Sequence, residues 1–184
     1  YNAALLGKKL YSEMGGKAKV HIFDSKSAGG GPTLIYYKIQ ELYKEGKSFE
    51  EIVEIVENYR DGMLTMFVSE SLNNLSKAGR LSNLKLKVAQ VMNILPVMTS
   101  NDGYILHTAN ARGSKKAFKK MVDTLIEFGV EGKTLSINHS GNEKWANYVE
   151  EELIKAGVTK VYQQRTVLLN TLYLDLNGVI VTIG

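Results

Sequence analysis

Apolar residues recur along the chain in two rhythms, one of period near 3.6 and one of period 2 or unbroken. The clearest helical stripe follows Ser48, where Phe49, Ile52, Val53 and Val56 fall on one face. Ser48 and Glu51 supply the S-x-x-E capping box that opens it. A second stripe, Phe118, Met121, Val122 and Leu125, predicts a helix over 114–128. A third, Ala146, Val149 and Leu153, follows another S-x-x-E pair, Ser140 and Glu143, and ends at Gly157. Weaker patterns predict a helix from about 33 to 45 stopped by Gly46, and a short one over 71–77. The chain opens inside a helical pattern carried by Ala3, Leu5, Leu6, Leu10 and Met14. Short β-branched runs predict strands at 18–23, 64–68, 134–137, 158–162, 166–169 and 179–183. Segments 93–99 and 104–108 read as a hairpin, because Asp102-Gly103 is a favoured turn pair. Pro96 has no N–H to donate, so the first hairpin strand is expected at a sheet edge or bulged.

Strands alternating with amphipathic helices make this an α/β protein. The shift from that alternation to a hairpin places a domain boundary near residues 77–82, giving segments 1–80 and 81–184. No apolar run approaches the roughly 20 residues that span a bilayer, so no integral membrane association is expected. With 23 Lys and Arg against 19 Asp and Glu the net charge is +4, and the two signs are interspersed. Even the densest cluster, Lys115, Lys116, Lys119 and Lys120, reads as the solvated side of one helix rather than a nucleic-acid footprint. The chain has no cysteine, which removes disulfides, thiolate metal sites and Cys–His nucleophiles. Its first residues lack an initiator Met and a basic n-region, which predicts further protein upstream.

Catalytic constellations are scarce. His21, His107 and His139 fall in three different strand segments, with no pair spaced to share a metal. His139, at a strand end, reads as a satisfied capping-region residue. Gly29-Gly30-Gly31-Pro32 matches neither phosphate-loop fingerprint and reads as a flexible connection after a strand. Two arginines have suggestive settings, Arg80 at the proposed domain junction and Arg112 between a strand and a helix. Such a residue more often closes a surface ion pair, but its planar fork of donors also suits a carboxylate or phosphate.

Asp24-Ser25-Lys26-Ser27 with Gly31, then Leu75-x-Lys77-x-Gly79-Arg80-Leu81-Ser82, then Pro96, Asp102-Gly103 and Ala111-Arg112 resemble the DegV family in order and spacing. Ile137-Asn138-His139 is similar to that family's second-domain strand, and the likeness runs over essentially the whole chain. The resemblance implies a two-domain architecture, in which 1–80 is the remainder of a Rossmann-like parallel-sheet domain and 81–184 a second α/β domain with a mixed sheet. It implies a cytoplasmic, non-enzymatic protein that encloses a long-chain fatty acid and needs no cofactor. Its partner would be a separate fatty-acid kinase subunit, to which it presents the acyl carboxylate for phospholipid synthesis.

By the same resemblance Arg80 and Arg112 match the arginines near the carboxylate and the kinase-facing surface, with Ser82 and Thr171 beside the ligand. The chain departs from the family in three places. The family's carboxylate-contacting Ser and Thr would precede Tyr1, Thr171 stands about where the family has a His, and Leu95 stands where a Lys is common. Two other functions compete: a degenerate member serving as an interaction module, and a small-molecule kinase of related fold. The second would need carboxylates around Mg²⁺, and Asp24 is the one acid near a glycine run. Half of an interdomain tunnel would also expose apolar surface, which predicts a homodimer of the fragment.

Overall fold

The computed structural model describes residues 1–81, 93–175 and 177–184. The opening pattern is indeed a helix, α1 (Asn2–Glu13), but it buries none of its residues, and Leu6 and Leu10 stay 57% and 48% exposed. The strand expected at 18–23 does not form. A strand needs a ladder partner, and among the described residues none pairs with this segment. It is held by side-chain contacts instead, with Phe23 packed among apolar side chains of the next two helices and His21 against Glu57 at 2.9 Å.

Those helices are α2 (Gly30–Lys44) and α3 (Phe49–Asp61). The first begins three residues earlier than its hydrophobic stripe indicated, because the glycines form its first turn. A Cβ at Gly30 would lie 2.8 Å from the Ser136 Cβ and 2.9 Å from the Thr182 hydroxyl. The glycine run is therefore a close contact of helix on sheet, not a flexible connection. Helix α3 starts at the expected capping box: Ser48 Oγ accepts from the Glu51 N–H at 3.3 Å, and the Glu51 carboxylate accepts from the Ser48 N–H at 2.8 Å.

The remaining elements are β1 (Leu64–Val68), α4 (Asn73–Lys77), β2 (Ile94–Asn101), β3 (Tyr104–Arg112), α5 (Ser114–Phe128), β4 (Thr134–His139), α6 (Glu143–Lys155), β5 (Lys160–Arg165), α7 (Leu168–Leu174) and β6 (Val179–Ile183). Among the described residues they build one six-stranded sheet in the order β3-β2-β1-β6-β4-β5. All pairings are antiparallel except β4 with β5, so the sheet is mixed, as expected. The boundary at residue 80 does not divide it. β1, from the first segment, pairs with β2 on one side and β6 on the other.

Pro96 lies on an inner strand, where the bulge alternative is realised. The register shifts after Val97, and the bulged Thr108 returns its hydroxyl to the Val97 carbonyl at 2.7 Å. The strand expected over 166–169 is the start of α7 instead. The Thr166 N–H donates to the His139 carbonyl at 2.8 Å, which closes the β4–β5 pairing, and a leucine-rich run follows that favours helix. Helix α6 is capped by Asn142 rather than Ser140, whose own N–H and carbonyl bond Gly178 and Asn177. The element expected to begin near residue 83 lies outside the described residues.

Strand alternation gives the sheet two apolar faces. Met66, Val68, Val97, Val181 and Ile183 point to one, where α5 and α6 cover them with Phe118, Met121, Leu125, Val149 and Leu153. Phe67, Met98 and Ile180 point to the other, toward Leu75 of α4 and Leu174 of α7. Beside them α2 lies over β4 and β6, with α3 packed on α2.

Two outcomes follow from this packing. Gly30→Ala should destabilise the protein by about 1–3 kcal/mol, read as a lower urea midpoint, because Ser136 and Thr182 belong to the sheet and cannot move aside. His139 is buried and its Nδ1 has no partner among the described residues, so it is not the satisfied residue expected. Burial holds its pKa below the ordinary imidazole value, outweighing the opposing Glu143 carboxylate. The fold thus favours the neutral ring; this stability is complete above the unfolded-state pKa of about 6.5 and lost as pH falls through it toward the folded value. Denaturation midpoints measured between pH 7 and 5 should therefore fall more steeply in the wild type than in His139→Gln.

Candidate functional site

The part of the second sheet face that no described residue covers is a cavity of about 470 Å³. Its size suits a small organic ligand. Phe67 and Ile180, side by side in the β1–β6 register, form its floor. Leu75, Tyr173 and Leu174 wall it from α4 and α7, and Tyr104 and Ile105 from the β2–β3 hairpin. Polar groups gather along one margin: Asp24, Lys26 and Ser27 of the loop before α2, with Thr65 and Ser100 of the sheet. Their hydroxyls are already engaged, Ser27 with Thr65 at 2.7 Å, Thr65 with Thr182 at 3.0 Å, and Ser100 donating to the Lys26 carbonyl at 2.9 Å.

Arg80 reaches the cavity because of how α4 ends. Gly79 adopts φ +68, its N–H donates to Ser76, and the Arg80 N–H reaches back to the Leu75 carbonyl at 3.0 Å. This Schellman turn needs a residue tolerant of the left-handed region. Leu75, Gly79 and Arg80 divide the work of this turn: one buries, one turns the chain, one carries charge. The Arg80 guanidinium stands 5.9 Å from the Tyr173 ring centroid, and among the described residues no carboxylate pairs with it. Lys26 is the opposite case. Its ammonium meets Asp102 at 2.8 Å and Asp61 at 3.5 Å, and the hydrogen bond to Asp102 pushes its pKa up.

The other expected site residues do not gather here. Arg112 is exposed at the end of β3, eight residues from Tyr104, or roughly 25 Å along a strand. It is not among the residues lining this cavity, so the two arginines do not converge in it. Thr171 turns its hydroxyl to Thr166 at 2.8 Å. Ser82 lies outside the described residues. Sequence reasoning missed Phe67, Ile180, Tyr173 and Ile105. The signal for the first two was the nearly continuous apolar run in β1 and β6, broken in each by a single Thr, which implies burial on both faces. Among the described residues no three His, Asp or Glu side chains are placed to hold a metal ion, and no helix is long and apolar enough to cross a membrane.

Residues 1–169 match the DegV family model. A DegV domain-containing protein of Streptococcus pneumoniae is 36% identical over 154 residues, 83% of this chain and 55% of that protein. One from Streptococcus pyogenes is 34% identical over the same shares. The chain thus spans about half the length of the curated relatives it matches. Among solved structures, a DegV family protein from Ruminococcus gnavus with vaccenic acid superposes with TM-score 0.93 at 40% identity, over 99% of this chain and 66% of that one. A DegV family protein from Eubacterium eligens loaded with heptadecanoic acid gives 0.91 at 31% identity, over 99% and 67%. The Fatty Acid Kinase (Fak) B3 protein of Streptococcus pneumoniae loaded with linoleic acid gives 0.91 at 32% identity, over 98% and 65%.

The turn that aims Arg80 can be tested by itself. A Cβ at Gly79 meets none of the described residues, so Gly79→Ala should cost about 1–2 kcal/mol in chemical denaturation, the scale of left-handed backbone strain. An unchanged midpoint would show that the turn is not held as described.

Proposed function

The chain belongs to the DegV family, and on that footing we propose that it supplies the cavity for a long-chain fatty acid, with Arg80 facing the carboxylate. The observation that supports this most directly is the pairing of one apolar cavity with a guanidinium that no described carboxylate neutralises. An acyl chain gains from burial against Phe67, Leu75, Leu174 and Ile180 at about 25 cal/mol per Å² of apolar surface. Its carboxylate is costly to desolvate without a charged or hydrogen-bonded partner, and Arg80 offers both. Solved relatives of the same fold that hold vaccenic, heptadecanoic and linoleic acids support the ligand class.

The protein acts in this reading as a binding subunit rather than an enzyme. The acid it holds is handed to a separate kinase subunit, which the relative named as a fatty acid kinase protein supports. Arg112, exposed at the end of β3 and away from the acyl cavity, belongs to the surface offered to that partner.

Native mass spectrometry of the purified full-length protein should show a bound acyl chain. Arg80→Ala should weaken binding of oleate or palmitate by roughly 1.5–3 kcal/mol, the scale of a charge-assisted hydrogen bond, as read by titration calorimetry. A protein that is isolated empty and takes up neither acid would refute the proposal.

A further inference from the structure

The loop at 24–28 has no helix or strand of its own, yet it is tied down at nearly every residue. Asp24 Oδ1 accepts from the Lys26 N–H at 3.0 Å, and Ser25 Oγ donates to the Ser27 carbonyl at 3.0 Å. Lys26 takes φ +49, uncommon for a lysine, which turns its carbonyl to Ser100 and its ammonium to Asp102. Three segments distant in sequence meet at that one ammonium: the loop, the end of α3 at Asp61, and the hairpin tip at Asp102. The loop is also a shared wall. Lys26 and Ser27 line the acyl cavity on one side, and on the other a polar cavity of about 130 Å³ that Arg60 and Asp61 help to form.

Such a wall has a specific mechanical property. Its contacts to the hairpin, Lys26 with Asp102 and Ser100 with the Lys26 carbonyl, are polar and partly exposed to water, whereas the floor and the α4–α7 side are held by buried apolar packing. Local opening draws on the least stable contacts first, so this margin of the cavity gives way before the others. We propose that residues 24–28 form a strap across the acyl cavity and that the Lys26–Asp102 ion pair is its latch, governing how fast a bound acyl chain leaves. Lys26 is on this account a positioning residue, acting through Asp102 on the strap. Arg80 stands outside the latch and faces the ligand. The inference rests on the fatty-acid reading above.

The test uses full-length protein loaded with a fluorescent fatty acid and chased with excess oleate in a stopped-flow instrument. Lys26→Met and Asp102→Asn should each speed release about two- to fivefold, the range of an exposed ion pair. The double variant should release no faster than the quicker single one, and Lys26→Arg should stay near wild type. Added salt should speed the wild type more than Asp102→Asn, in which the Lys26–Asp61 contact and the Arg80 charge remain. In ligand-free protein, hydrogen exchange at 25–28 and 101–103 should quicken in Lys26→Met, with the rest of the sheet unchanged. Unaltered release in both single variants, or unaltered exchange at the strap, would overturn the latch. A wild type that binds no fatty acid would instead remove the reading beneath it, and the strap's role with it.

Discussion

In the pairing of β1 with its two neighbours, Phe67 stands opposite Met98 on one side and Ile180 on the other, while Met66 stands opposite Val181 one pleat away. Because side chains alternate across a strand, this single register builds two apolar surfaces back to back. One is sealed by α5 and α6, and each fully buried Val, Leu, Ile, Phe or Met side chain there contributes about 1.5–3 kcal/mol relative to exposure. The other is sealed only in part, and what remains is the cavity floor. A slip of one residue would exchange the faces, so the pairing that stabilises the core also aims Phe67 and Ile180 at the cavity.

The charges around that space divide into two kinds. Lys26 is neutralised by neighbours and its pKa rises because a carboxylate accepts its proton's hydrogen bond. Arg80 stands over a tyrosine ring with no described carboxylate beside it. An ion pair at a partly exposed margin contributes little to stability, but it can hold a loop in one place. A guanidinium without a described carboxylate adds to the fold little beyond its contact with the Tyr173 ring; under the proposed function it is the group that meets an anion. The hydroxyl row from Ser27 through Thr65 to Thr182 adds a third element, joining the loop to the middle of the sheet beneath α2.

The places where local reasoning went astray share a cause. Residues 18–23 have the composition of a strand but pair with no described segment. Residues 166–169 have β-branched character at their start, yet one hydrogen bond from Thr166 to His139 ends the parallel pairing and frees the leucines to turn into α7. Ser140 and Glu143 have capping-box spacing, but Ser140 is drawn into pairing with Gly178 and Asn142 caps instead. In each case the presence or the absence of a partner far along the chain overrode the local preference.

What the amino-acid sequence settles by itself is what depends on near neighbours. The capping box of α3, the stripe of α5 and the hairpin turn at Asp102-Gly103 each involve residues within a few positions of one another. The family motif that contains Arg80 is of this kind too, since Leu75, Gly79 and Arg80 are joined by one turn. Only the tertiary structure decides that β1 lies between β2 and β6, that Arg80 enters the cavity while Arg112 stays at the far end of β3, and that Lys26 meets Asp102. Those relations hang on contacts between segments tens of residues apart, whose closure is governed by the summed burial of two sheet faces and is written in no single stretch of sequence.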